Sequence, residues 1–348
     1  MRRWARRAAV ALGILLLPVV LLGAPVAYVE TLCHGDAAPA PRRPLSSETR
    51  PAVRTLLTYP EWHIVHAYDD YARVIRDHDP HAYDFLPAVA GYWRGLCTLR
   101  RESAALGEID GATRTLVHVI GVSFTFEMLM KAAYEETAGR AVARLRGPDR
   151  APLDALSAAQ AADYATFLQQ VPWYRYDFRA DAAALREASE GGLRDRERAL
   201  ALGLEHRARA AYAGLIARGV AATGQDDTTL QMVVADLPAE TLEAPEGVRV
   251  LRTLPEGIEV ETPRYRALTH ILRDWAEAGA TFVDMAGNDR ILFTALSDGA
   301  DVPGALATFP RQGHGDTRAL LLVPVRDLAE RLRGLDAAGL RLEHVHDY

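Results

Sequence analysis

Three glutamates in this chain fall where a helix is expected to bury its apolar face. Glu61 borders the apolar face of a helix opening at Thr58-Tyr59-Pro60-Glu61, a T-x-x-E capping box with an early proline. Glu127 lies inside the apolar stretch Thr115 to Glu135, and Glu205 sits in the middle of a face made by Leu204, Ala208, Tyr212, Leu215 and Ile216. A carboxylate out of water is costly unless paired or protonated, so these positions call for a partner or a function. Lys131, the only lysine, stands four residues after Glu127 and four before Glu135, spacing that stacks the three along one helix side. Together Glu61, Glu127, Lys131 and Glu205 form a candidate polar cluster able to serve as acid and base. Against it stands a plain reading: a capping box, a surface ladder and an interhelical hydrogen bond.

Other chemistry-bearing residues make weaker patterns. His63 and His66 have the H-x-x-H spacing of metal ligands, but a helical wheel sets His66 among Asp69, Asp70 and Arg73, which reads as a solvated face. His344 and His346 share a strand face and could join His314 in a zinc-type site, or simply be an exposed chain end. Neither pattern has a second pair of ligands, so no metal is assigned. The loop Trp173-Tyr174-Arg175 presents aromatic rings around one cation and is a candidate ligand loop. G-x-S-x-G, H-E-x-x-H, G-x-x-x-x-G-K-[ST], C-x-x-C and G-x-G-x-x-G are all absent, and Glu205-His206 lacks the E-x-x-H spacing of a di-iron bundle. No cofactor is expected, and whether the chain is an enzyme stays open.

The elements that must position these residues read as an α+β protein in several parts. Ala8 to Val29 carries no charge and follows the basic flank Met1 to Arg7, which predicts an N-terminal transmembrane anchor within residues 1–30, cytoplasmic at its start. Small residues are missing from the −3 position of the candidate cleavage sites, which favours an uncleaved anchor. Residues 31–55, with Pro39, Pro41, Pro44 and Pro51, predict an extended tether holding the body off the membrane. An α-helical bundle domain is expected over 56–223, with the stretch from Thr115 to Glu135 buried at its centre because it is apolar all round. Residues 224–247 read as a linker. Over 248–348 the period changes to five or six short strands interleaved with two helices, which fits a ferredoxin-like α+β sandwich.

Composition bounds the function. The chain has 348 residues, 49% hydrophobic, with a formal charge of −6 that becomes more negative once the four arginines of the first seven residues are set aside. An acidic body argues against nucleic acid as a partner. Outside the cytoplasm Cys33 and Cys97 can form a disulfide, or they remain two unrelated thiols.

The order T-Y-P-E-W (58–62), V-P-W-Y (171–174), M-A-G-N-D (285–289) and a closing D-Y resembles a group of uncharacterised bacterial membrane-anchored proteins, over most of the chain. The resemblance implies a membrane address and no activity. Three expectations follow from the residues. The leading one is a single-pass protein of the bacterial inner membrane, its bulk periplasmic or otherwise extracytoplasmic, binding an envelope protein or a small ligand. The second is a hydrolase or transferase using the bundle carboxylates; the third binds a metal through the C-terminal histidines.

Overall fold

The computed structural model describes residues 19–41, 43–223, 228–299 and 301–348, with side chains left aside for 219–223. The basic flank and the first half of the expected anchor therefore lie outside the described residues, as do 224–227 of the expected linker. The chain is α+β, mainly helical, with two antiparallel sheets.

The helical part comprises α1 (Val19–Leu32), α2 (Arg54–Asp77), α3 (Phe85–Ser103), α4 (Gly111–Tyr134), a π turn (Glu135–Gly139), α5 (Arg140–Arg146), α6 (Pro152–Leu168), α7 (Phe178–Glu187) and α8 (Leu193–Thr223). α2 begins a turn earlier than its capping-box sequence suggests. Thr58 lies inside it, with its hydroxyl donating back to the Thr55 carbonyl at 3.1 Å, and Pro60 occupies the second turn.

The buried centre is α2, not α4. Sixteen of the 24 residues of α2 are buried, whereas α4 buries only Val117, Gly121, Phe124, Thr125 and Met128. On α4, Leu116, Val119, Phe126 and Met130 are 52%, 51%, 55% and 56% exposed. The face of α8 expected to enter the core is likewise turned outward at Leu204, Tyr212 and Leu215. Apolar composition was the wrong guide, because α2 buries a face rich in aromatic and titratable groups that read as solvated.

The remainder is built twice on one plan. β1 (Thr229–Ala235), β2 (Arg249–Leu254), β3 (Gly257–Pro263), α10 (Tyr265–Glu277) and β4 (Thr281–Met285) give a sheet of order β2-β3-β1-β4, with the short α9 (Ala239–Leu242) after β1. β5 (Arg290–Ser297), β6 (Ala307–Pro310), β7 (Thr317–Pro324), α11 (Val325–Arg333) and β8 (Leu340–His346) repeat it as β6-β7-β5-β8. In each half a proline closes the strand before the helix, Pro263 or Pro324. A glycine at positive φ, Gly279 or Gly339, then turns the chain towards the last strand. Both helices sit in one core, where Leu268, Leu272 and Trp275 join Leu328 and Leu332.

Eight strands replace the five or six expected. β1 was concealed in the stretch read as a linker over 224–247, where Asp226, Asp227, Pro238 and Pro245 outweighed the run Leu230 to Ala235. β6 has only four residues and ends in Pro310.

Helices and sheets share packing. Leu292, Phe309 and Leu320, on the outer face of the second sheet, belong to the same apolar cluster as α2 and α3. The proline-rich segment is docked rather than extended, so it does not hold the body away from α1. Leu45 N donates to Asp284 at 3.0 Å, Ser47 Oγ to Glu259 at 2.8 Å, and Arg50 N to the Ala286 carbonyl at 2.9 Å.

Candidate functional site between helices α2, α4, α6, α7 and α8

α4 starts cleanly because the Asp110 side chain accepts from Thr113 N at 2.8 Å, capping its first turn. It then runs antiparallel to α8, and the two exchange ion pairs on successive turns. Glu127 meets Arg209, Lys131 meets Glu205 at 2.9 Å, and Glu135 takes both terminal nitrogens of Arg198 at 2.8 and 2.7 Å. Arg209 also reaches Glu205 at 3.2 Å, so one guanidinium bridges the two glutamates. The Tyr68 hydroxyl of α2 donates to Glu127. Past Lys131 the helix widens into the π turn, where Gly139 leaves room for the Glu135 carboxylate: a Cβ there would lie 2.4 Å from Glu135 Oε2.

Aromatic rings surround the cations. Arg209 lies 5.2, 5.4 and 5.6 Å from the ring centres of Tyr68, Tyr164 and Phe178, and Lys131 Nζ is 5.2 Å from that of Tyr71. Beside them is a cavity of about 40 Å³ that Tyr176, Asp181 and His206 also line. That volume holds a few waters, whereas organic ligands occupy sites of roughly 300 Å³ or more.

Burial works to lower the Lys131 pKa, but Glu205 outweighs it and leaves the amine more basic than an ordinary lysine. Burial raises the Asp181 carboxyl, which accepts from Tyr176 Oη at 2.9 Å, and lowers the His206 imidazole. The cavity thus joins a neutral imidazole and a reluctant acid to a ladder of carboxylates and cations that continues past Arg198 to Glu197 at 3.4 Å.

Of the residues singled out in the sequence, Glu127, Lys131 and Glu205 come together, linked by Arg209, which the sequence did not single out. Glu61 does not join them; it is exposed on α2. Trp173 and Tyr174 are half-buried, with the Trp173 ring 5.3 Å from that of Tyr212 on α8, and Arg175 is exposed. From this loop it is the following residues, Tyr176 and Phe178, that line the cavity. Cys33 and Cys97 are joined as a disulfide, which ties the chain just past α1 to α3.

A second polar assembly, which the wheel reading missed, lies where α2 meets the second sheet. His63 and His66 are 7% and 5% exposed, and His344 and His346 are 3% and 0%, so neither a solvated face nor an exposed chain end describes them. A register shift in β8 beside Glu343 lets that residue face α2 along with His344 and His346. Glu343 takes the buried Arg318 in a two-point contact at 2.5 and 2.7 Å. Trp62 stacks on His344 with ring centres 3.4 Å apart. Neither ring nitrogen of His346 has a hydrogen-bond partner among the described residues. Burial lowers the pKa of His63 to about 4, that of His346 to about 3, and those of His66 and His344 well below the usual value.

His314 is apart from these histidines and close to Asp69 and Asp70, three residues whose ligand atoms are near enough to hold a cation. Arg311 already stands there: its guanidinium lies 3.1 Å from Asp69 and 3.2 Å from His314 Nε2, and contacts Asp316 at 3.0 Å. The carboxylates have their counter-charge from the chain itself.

Comparison of the chain with protein-family models, with curated proteins and with solved structures found no match.

Proposed function

We propose that this chain is a single-pass protein of a bacterial inner membrane whose body lies on the extracytoplasmic side, and that it holds an envelope partner or a small ligand. The observation that carries this reading is the disulfide between Cys33 and Cys97. It closes immediately after the uncharged stretch Ala8 to Val29, and such bonds persist in oxidising compartments outside the cytoplasm. Four arginines ahead of that stretch favour a cytoplasmic start.

Binding is favoured over hydrolysis or transfer because the carboxylates an enzyme would use, Glu127 and Glu205, are each held by a cation. A general base must come within hydrogen-bond reach of the proton it takes, and these carboxylates are directed at their cations instead. At about 40 Å³ the aromatic cavity beside Arg209 has room for waters but not for an organic molecule, which favours an envelope partner over a small ligand. In the C-terminal part, each half contains the split β-α-β crossover on which ferredoxin-like sandwiches are built, and we read the pair as a doubled form of that plan.

Reporter fusions after residue 60 test the placement. Activity is expected from a reporter that works only outside the cytoplasm, and a signal from a cytoplasmic reporter at the same point would contradict the reading.

A further inference from the structure

One exposed arc of α4 has no charge on it; Arg114, exposed on another side, pairs with Glu30 at 3.6 Å. At about 100° per residue, the arc centred on Val119 runs from Ala112 to Thr137 through uncharged residues only, with Leu116, Phe126 and Met130 exposed on it and Val122 and Tyr134 half-buried at its edges. That strip is roughly 37 Å long at the rise of an α-helix. α8 exposes Leu193, Leu200, Leu204 and Leu215 at 57% or more, and on the same side Arg196, Arg207 and Arg218. No ion pair holds those three arginines among the described residues.

The two exposed arcs open to one side of the molecule. Seen from the N-terminus of α4, its exposed arc lies counter-clockwise of the ladder formed by Glu127, Lys131 and Glu135. On α8, which runs the opposite way, the exposed arc lies clockwise of Glu205, Arg209 and Arg198 in that same view. Both arcs therefore face outward together, away from α2 and α3. On the other flank of α4, α1 arrives with Val19, Val20 and Leu21 exposed, and its Glu30 meets His118 at 2.7 Å. The described end of the apolar segment, residues 19–29, is thereby fixed beside the strip, with the Cys33–Cys97 disulfide holding the junction.

We propose that the α4 and α8 face lies on the lipid bilayer that the N-terminal segment enters, with the α8 leucines among the acyl chains and Arg196, Arg207 and Arg218 on anionic phosphate headgroups. This rests on the anchored reading above. A leucine face with arginines along its border is the pattern of helices that lie in a membrane interface. Charge decides against a second copy of the chain: pairing two such faces would bring the arginines of both copies together, and the one carboxylate on the α8 arc, Glu197, is already held by Arg194 at 2.8 Å.

The test reconstitutes the full-length protein in phosphatidylcholine vesicles, with or without phosphatidylglycerol, carrying a phospholipid with a photoactivatable acyl chain. Adducts are mapped by mass spectrometry after irradiation. Lipid adducts are expected on the 8–29 segment and on the outward residues of α4 and α8, with more α8 labelling when phosphatidylglycerol is present. Phe126→Glu with Leu204→Glu, both at exposed positions, should lose the α4 and α8 adducts and keep the N-terminal ones. Adducts on 8–29 alone in the wild-type protein would overturn the docking surface and leave the anchor standing. Adducts on α4 and α8 without any on 8–29 would overturn the anchor and leave the surface. Cross-links between copies through α4 or α8, in place of lipid, would overturn the surface in favour of self-association.

Discussion

Lys131 and its partners show what charge pairing contributes at the level of single residues. Breaking a buried pair costs about 3 to 5 kcal/mol and an exposed one under about 1. The side chains of Lys131 and Glu205 are 13% and 26% exposed, and Arg209 remains to share Glu205, so Lys131→Met should cost roughly 2 kcal/mol, between those limits. Adding Glu205→Gln should recover part of that loss, and urea unfolding measures both. Near-wild-type stability for Lys131→Met would reduce the pair to a solvated contact. The four buried histidines make a second prediction. Their folded pKa values lie below the usual 6.5, so between about pH 4 and 6.5 the unfolded chain binds more protons and stability falls as pH falls. Asp70, raised to about 6 by burial, opposes this, as do Glu61, Asp181 and Asp284, which desolvation also raises. His346→Phe keeps a ring between Tyr59 and Trp62 and should flatten the pH dependence by about 1.4 kcal/mol per pH unit near pH 5. An unchanged slope would mean that His346 is not held neutral. At this scale the sequence was informative for Glu127, Lys131 and Glu205, because a carboxylate inside an apolar helix face must find a cation. It was silent on Arg209 and misleading on His63, which α3 and α4 cover together with Phe309, and on His66, which faces Glu343 of a sheet more than 200 residues further along the chain.

Elements were legible where local pattern determines them. The strands from Val248 onward, β6 excepted, and the helices Tyr265–Glu277 and Val325–Arg333 follow period and turn residues closely. β1 escaped because its neighbours in sequence carry prolines and paired aspartates, whereas its partners β3 and β4 supply the hydrogen bonds that make it a strand. The doubling of the β-β-β-α-β plan became visible only in strand order, since few residues beyond Pro263 and Pro324, or Gly279 and Gly339, repeat. The link between α1 and α3 gives the prediction for this scale. The disulfide joins residues 64 apart, and loop entropy alone gives it about 4 kcal/mol. Cys97→Ser should lower the urea midpoint accordingly and loosen α1 first, seen as faster amide exchange in Val26 to Cys33. Unaltered exchange there would show that Val29 and Glu30 hold the segment without the bond.

For the whole molecule, the proposed reading turns on how the body sits against α1. The docked proline-rich segment, the buried Cys33 and the pairing of Glu30 with His118 bring the body up against the end of α1. That closeness could not be read from the prolines, whose composition alone indicates an extended chain. The central claim, that the body resides in an oxidising space beyond a membrane anchor, is met most directly by intact mass. Membranes are extracted with a thiol-blocking reagent present throughout, and the full-length protein is weighed before and after reduction with fresh reagent. The account predicts no blocked cysteine at first and two after reduction, since Cys33 and Cys97 are the only cysteines. Two blocked cysteines before any reduction would contradict it.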